Sequence, residues 1–246
     1  MVTFQSMAKE ALKEIYAHGR IPIIAGGTGF YIQALLYDID FRENDEGGAI
    51  RRELEELARS EGERAAGVLH RMLQEADPKA ASEIHPNNIK RVIRAIEYFR
   101  LTGEKISLHN EQSRAKESPY NFLYYVVTTD RAELYRRIDR RVDQMLEQGL
   151  VEEVQKLKRM GCHRGQTSMQ GLGYKEILDY LNGDCSLEEA VYRLKRDTRH
   201  FAKRQLTWFK REREVRWINL DEFRQDRAVV LEHMIEDCIN RGIVLQ

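Results

Sequence analysis

Ile21-Pro22-Ile23-Ile24-Ala25-Gly26-Gly27-Thr28-Gly29-Phe30-Tyr31 is the stretch on which the reading of the fold turns. An apolar run enters a glycine loop, and the loop enters a helix-like segment, Phe30 to Leu36. A short, wholly apolar run predicts a strand buried on both faces. Gly26, Gly27 and Gly29 permit a sharp turn and the close approach of another group to the backbone. A helix N-terminus just after the loop offers free N–H groups, with the Thr28 hydroxyl beside them. The stretch therefore reads as the floor of a site at the carboxyl end of a strand in an α/β sheet. The alternative is a tight strand-to-helix turn that binds nothing.

Before this stretch, Thr3 is placed to cap a helix carrying Phe4, Met7, Ala8, Ala11, Leu12 and Ile15 on one face, ended by Gly19. A helix ahead of the first strand is an unusual start, as if the sheet began in its middle. After Leu36, Asp38 to Gly48 reads as an acidic loop. Ile50 to about Leu101 carries only helical patterns, with Asp77-Pro78 as a cap followed by proline at the first helical position. Ile89, Val92, Ile93, Ile96 and Phe99 repeat with a 3.6-residue period that stops near Gly103. Glu104 to Tyr120 is polar, contains Ser118-Pro119 and reads as a hinge. Phe122 to Thr128 is aromatic and β-branched and predicts a strand. Helices follow over Arg131–Gln148, capped by Asp130, then Val151–Met160, Tyr174–Leu181, and a long one from the Ser186 cap to Trp208. Val215 to Asn219 predicts a last strand and Ala228 to Asn240 a closing helix. The fold class expected is α/β with a parallel sheet, helix-rich overall. Its core comprises residues 1–44 and 117–246, interrupted by an all-helical insertion at 45–116.

Lys+Arg and Asp+Glu both number 40 in 246 residues, so the global charge neither favours nor excludes nucleic acid. Only local clusters can decide. Cys162, Cys185 and Cys238 are scattered, and no Cys-x-x-Cys and no His pair at i, i+4 occurs. A disulfide scaffold or zinc site is therefore not expected, and a reducing cytoplasm fits. No apolar run approaches the ~20 residues of a membrane helix. Met1 leads into Lys9, Glu10, Lys13 and Glu14, so no signal peptide is expected.

Charge is concentrated in three places. Between Arg193 and Arg211 there are eight Lys/Arg and one acid, Asp197. Arg196, Arg199 and Lys203 share a helical face, with Leu194, Phe201, Ala202 and Leu206 left for the buried side and Trp208 for the core. The face reads as an anion site for phosphate or an RNA backbone, or as a solvated surface paired with acids. Arg137 and Arg141, four apart after the strand at Phe122–Thr128, make a fork suited to a di-anion. Glu133, Asp139 and Asp143 on the same helix could instead neutralise them. Lys90, Arg91 and Arg94 lie opposite an apolar stripe. A fourth feature, Gln170-Gly171-Leu172-Gly173-Tyr174, places Gln170 to read a base edge. No Gly-x-x-x-x-Gly-Lys-Ser/Thr run and no Ser/His/Asp or Cys/His set is present.

The glycine stretch, His85-Pro86-Asn87 with Lys90-Arg91-Val92-Ile93-Arg94-Ala95-Ile96-Glu97, Arg137 to Leu146, Gly171-Leu172-Gly173-Tyr174-Lys175-Glu176, and Thr198-Arg199 with Ala202-Lys203-Arg204-Gln205-Leu206-Thr207-Trp208 occur in this order. Together they resemble the tRNA dimethylallyltransferase (tRNA isopentenylpyrophosphate transferase) family, from about Phe4 to Trp217. The resemblance implies a P-loop-NTPase-like, nucleotide-binding core whose insertion grips the anticodon stem-loop. It implies transfer of a dimethylallyl group from dimethylallyl diphosphate to N6 of the adenosine 3′-adjacent to the anticodon, with Mg²⁺ assisting, by a cytoplasmic monomer. Extrusion of the base is the expected tactic. Position by position, Thr28 matches a threonine near the target nucleotide and Arg141 the arginine on the diphosphate, both catalytic, with Arg137 beside it. Lys90, Arg91, Val92, Ile93 and Arg94 match the tRNA-contacting segment, and Arg51 another tRNA-contacting arginine. Gln170, Arg199 and Lys203 join the tRNA-binding set. The family's lysine-bearing phosphate loop and Asp-Ser-x-Gln segment have no counterpart here. The expectation is a chain without its N-terminal strand, carrying no Mg²⁺ ligands and inactive in transfer as written. The alternatives are a catalytically dead RNA-binding fragment of that family and a P-loop-kinase-like small-molecule phosphotransferase.

Overall fold

The computed structural model describes residues 2–39 and 48–243. Residues 40–47, most of the stretch read as an acidic loop and the site of the 44/45 boundary, lie outside the described residues. The chain forms two compact units, Met1–Ala17 with Phe30–Tyr120, and His18–Gly29 with Asn121–Gln246.

The first unit is helical. It contains α1 (Val2–Ala17), α2 (Gly29–Leu36, joined from Phe30 on), α3 (Ala49–Glu61), α4 (Ala65–Ala76), α5 (Pro78–Glu83), α6 (Ile89–Thr102) and α7 (Ile106–Ala115). Thr3 lies inside α1 rather than capping it. The side-chain amide of Gln5 on α1 donates to the carbonyls of Ala34 (2.8 Å) and Ile39 (3.0 Å), closing the end of α2. The core of the unit joins Leu54, Leu69, Leu73, Ala80, Ala81, Val92, Ile93, Ala95 and Ile96 from α3 to α6. Burying each large aliphatic side chain contributes roughly 1.5–3 kcal/mol. Asp77 does cap α5, accepting from the Ala80 N–H at 3.0 Å. Being fully buried, it also accepts from the Ser107 N–H (2.9 Å) and hydroxyl (2.8 Å). That bond explains a correction: the segment read as a hinge holds a ten-residue helix, α7, pinned at its start to α5. Its polar composition hid the helix, because few of its side chains enter the core.

The second unit is α/β. β1 (Tyr124–Thr128) pairs in parallel with β2 (Val215–Asn219), Tyr124 beside Val215 and Thr128 beside Asn219. Between them run α8 (Arg131–Glu147), α9 (Leu150–Arg159), α10 (Tyr174–Asn182) and α11 (Leu187–Phe209), and α12 (Arg227–Asn240) follows β2. Asp130 caps α8 through the Ala132 and Glu133 N–H groups, and Ser186 caps α11 through that of Glu189. Val142, Leu150, Val154, Met169, Ile177, Leu178, Ala190 and Leu194 form the core among these helices. No helix among the described residues is long and apolar enough to cross a membrane.

The central expectation of a strand at Ile21–Ile24 fails. Residues 20–26 form no strand, Ile23 is 89% exposed and Ile24 43%. A strand exists only where a neighbour accepts its ladder of hydrogen bonds. The sheet among the described residues has two strands, β1 and β2, and Ile21–Ile24 pairs with neither.

Candidate functional site

Within the second unit the glycine loop is fitted to α11. The Gln205 side-chain amide donates to the Gly27 carbonyl at 2.8 Å. A Cβ at Gly27 would stand 2.1 Å from the Gln205 amide nitrogen, and one at Gly29 would stand 2.2 Å from two atoms of the Trp208 indole. Gly29 is therefore required by the indole that faces it, while at Gly27 the Gln205 side chain would have to shift; both facing residues belong to the Ala202–Trp208 run. Thr28, between them, is exposed, and its hydroxyl makes no hydrogen bond among the described residues. Trp208, expected in the core, is 38% exposed. Phe201, expected on the buried side of α11, is also exposed, with the Arg204 guanidinium 5.7 Å above its ring. Leu194 is buried as expected, and the rest of the buried stripe of α11 is carried by Ala190 and Phe209.

The basic face of α11 divides in two. Towards its start the cations are engaged. Arg193 pairs with Glu189, Lys195 with Asp143 at 2.6 Å, Arg196 with Asp197, and the Arg199 Nη1 with both oxygens of Asp139 at 2.6 and 2.9 Å. The hydrogen bond from Arg196 holds the Asp197 carboxyl below its usual range, against the opposing effect of burial. Arg199 and Lys195 thus tie α11 to α8, which gives Arg199 a structural partner as well as its place on the face. Towards the end of the helix, Lys203, Arg204, Lys210 and Arg211 have no acidic partner among the described residues. A shallow concavity of about 410 Å³ lies there, lined by His200, Lys203, Arg204, Thr207, Trp208 and Arg211. Three cations without an acidic partner among the described residues, beside an exposed indole, can hold a phosphate backbone and stack a base. Burial pushes up the pKa of the Glu212 carboxyl, just past the end of α11, opposed by its bond to Trp208.

On α8 the two forked arginines differ. Arg137 donates from Nε to Glu133 (2.9 Å) and from Nη2 to the Gln225 amide oxygen (2.6 Å). Arg141 is exposed and has no partner among the described residues. Gln170 is exposed, its amide turned back onto the Arg164 carbonyl. Tyr174 spends its hydroxyl on Glu153, a bond that, with some burial, raises its pKa.

In the first unit, Lys90 and Arg91 are exposed on α6. Val92 and Ile93, expected to contact tRNA, are 0% and 4% exposed and lie in the core; the same 3.6-residue period that made α6 a helix turns them inward. Arg94 and Arg51 converge on one carboxylate, Glu97, at 3.0 and 3.5 Å. Glu97 is 2% exposed, and the sequence reading gave it no part in holding these arginines. Its signal was legible: a carboxylate in the apolar stripe Val92, Ile93, Ile96. Among the described residues no group of three or more His, Cys, Asp or Glu could hold a metal ion. These side chains do not make a Mg²⁺ cage, although Mg²⁺ is commonly held by one or two carboxylates and substrate phosphates.

Residues 1–212 match the model of the family described as IPP transferase. The chain is 61% identical over 232 residues to the tRNA dimethylallyltransferase of Lachnoclostridium phytofermentans, covering 94% of this chain and 73% of that protein. It is 50% identical to that of Acetivibrio thermocellus, covering 92% and 72%. Among solved structures, it is similar to the full-length tRNA isopentenylpyrophosphate transferase of Bacillus halodurans, with TM-score 0.65 and 41% identity over 97% of this chain and 72% of that one. It is also similar to a eukaryotic dimethylallyltransferase acting on tRNA, with TM-score 0.75 and 25% identity over 96% of this chain and 61% of that one. With its glycine loop, its Ala202–Trp208 run and more than four fifths of its length matched, the chain belongs to the IPP transferase family.

Proposed function

We propose that the chain serves prenyl transfer to tRNA: a dimethylallyl group passes from dimethylallyl diphosphate to N6 of the adenosine 3′-adjacent to the anticodon. The allylic C–O bond breaks, a C–N bond forms, pyrophosphate leaves and N6 gives up a proton. The observation that carries this reading is the fit of Gly27 and Gly29 to Gln205 and Trp208, beside the unpaired end of α11. It holds the glycine loop and Thr28 next to cations and an indole, the chemistry a flipped nucleotide and its phosphates need. Arg141, unpaired on α8, takes the diphosphate, where charge builds as the C–O bond breaks. Lys90, Arg91, Arg94 and Arg51 take tRNA phosphates in the helical unit. Mg²⁺, when bound, screens the diphosphate charge; no step is assigned to it here. The protein works as a monomer in the cytoplasm.

The test is fluorescence anisotropy with labelled RNA at fixed salt. An anticodon stem-loop with adenosine 3′ of the anticodon should bind at least tenfold more tightly than an unstructured RNA of equal length. Replacing that adenosine by a pyrimidine should weaken binding. Equal affinity for all three RNAs overturns the reading.

A further inference from the structure

The turn after β2 lies beyond the residues matched by the family model, and it is strained. Arg224 and Gln225 have φ of 51° and 62°, left-handed values that side-chain-bearing residues rarely adopt. Such a conformation persists where its surroundings over-determine it. Here the Gln225 N–H donates to the Leu220 carbonyl at 2.8 Å, and Leu220 N–H donates to the Thr128 carbonyl at 2.8 Å, so the turn is stitched to the end of β1. Asp221 is its hub. Its carboxylate accepts from the Asp130 N–H at 2.6 Å and from the Thr129 hydroxyl at 3.0 and 3.1 Å. The Gln225 side-chain nitrogen donates to Thr129 Oγ1 at 3.1 Å and to Asp221.

These bonds fix the orientation of the Gln225 amide. Its NH₂ faces acceptors, so its oxygen faces away from them, and that oxygen receives Arg137 Nη2 at 2.6 Å. The opposite orientation would set NH₂ against a guanidinium and oxygen against a carboxylate. Arg137 is thereby held between Glu133 and a neutral amide. Of the five N–H groups of a guanidinium, the Nε–H and one Nη2–H are used, and Nη1 has no partner among the described residues. The turn and the start of α8 both follow the carboxyl ends of parallel strands, the edge where open α/β sheets bind ligands.

We propose that Gln225 is a positioning residue: the strained turn Asp221–Gln225 holds the Arg137 guanidinium with its remaining donors presented to a diphosphate. This rests on the reading of Arg137 and Arg141 as the diphosphate fork. A neutral amide orients the guanidinium without spending its charge, whereas a second carboxylate would orient and neutralise it.

Calorimetric titration of the full chain with inorganic pyrophosphate tests this. Arg137→Ala should weaken pyrophosphate binding about tenfold or more, the scale of one charge-assisted hydrogen bond. Gln225→Asn tolerates the left-handed backbone but is too short to reach Arg137. It should keep or raise Tm and weaken binding about threefold to tenfold; Gln225→Gly should do the same. Gln225→Glu should weaken binding although it can still reach Arg137. In the Arg137→Ala background, Gln225→Asn should have no further effect. If Gln225→Asn leaves affinity unchanged while Arg137→Ala lowers it, the positioning role is overturned and the fork stands. An equal effect of Gln225→Asn with and without Arg137 also overturns it. If Arg137→Ala changes nothing, or the unmodified chain does not bind pyrophosphate, the diphosphate reading of Arg137 fails and the proposal fails with it.

Discussion

The helical block from α3 to α7 and the segment from His18 to Gly29 face the same requirement, to satisfy a backbone, and meet it differently. Each helix pairs its own peptide groups, so its sequence need only provide a stripe and caps. Leu54, Leu69, Leu73, Val92 and Ile96 provide the stripe and become almost wholly buried. Ile21–Ile24 is at least as apolar, yet Ile23 and Ile24 are exposed, because an extended segment depends on a neighbour. It is fixed at its far end, where the Gly27 carbonyl and Gly29 meet α11. Charge follows a similar division. Asp77 and Glu97 are buried and bonded in the helical unit, while Arg141, Lys203 and Arg211 of the other unit are left unpaired among the described residues. Charges spent inside the fold should govern stability, and charges held out of it should govern binding and chemistry.

The largest expected effect falls on the unpaired side. In an enzyme of the family that carries the lysine-bearing phosphate loop, the change equivalent to Arg141→Ala should lower kcat for prenyl transfer roughly 10²–10³-fold, the scale of losing one transition-state charge partner, and in this chain Arg141→Ala should leave Tm unchanged. An unchanged kcat removes Arg141 from the chemistry, and a fallen Tm breaks the division itself.

Asp77→Ala should do the reverse. It removes a cap and strands the buried Ser107 N–H and hydroxyl, costing about 2–4 kcal/mol of stability by denaturant unfolding. The pH dependence follows the same group. Burial raises the Asp77 pKa, but bonds from the Ser107 N–H, the Ala80 N–H and the Ser107 hydroxyl, with Lys105 nearby, outweigh it and set the carboxyl below its usual value. Its stabilisation is therefore complete above the unfolded-state pKa of about 3.9 and is lost as pH falls through the lower folded value. Asp77→Ala should flatten this acid limb of the stability profile; a limb of unchanged slope contradicts the assignment.

Gly29→Ala should cost about 1–3 kcal/mol by overpacking against the Trp208 indole and shift the tryptophan emission. The partner substitution, Gly27→Ala, should cost less, because the Gln205 amide it meets is the end of a flexible side chain. Equal costs would mean that the loop is not seated on Trp208. The smallest effect is expected at Lys90, whose replacement by Ala should reduce the slope of log affinity for the anticodon stem-loop against log salt by about 0.7–0.9. No change in slope places Lys90 off the phosphates.

What was legible in the sequence follows from the same contrast. The periods of α3 to α6, the caps Asp77, Asp130 and Ser186, and both paired strands could be read locally, since each signal lies within a few residues of what it shapes. The strand expected at Ile21–Ile24 could not be tested locally, and α7 was hidden by the absence of an apolar stripe. At the site, the glycine loop and the Ala202–Trp208 run were each visible, but their fit joins residues 178 apart. Val92 and Ile93 show the cost of carrying a motif over whole: one helical face serves the core while the other carries Lys90 and Arg91. Glu97, three residues from Arg94 and set in an apolar stripe, was legible, whereas Gln225 meets an arginine 88 residues away, so no spacing rule announces it.

The end of α11, left without acidic partners among the described residues, should hold RNA. Anticodon stem-loop affinity measured from low to physiological salt, for the unmodified chain and for Lys203→Ala with Arg211→Ala, tests it most directly. The double variant should keep its Tm and lose about 0.7–0.9 of slope for each cation removed. An unchanged slope with an intact fold would contradict it.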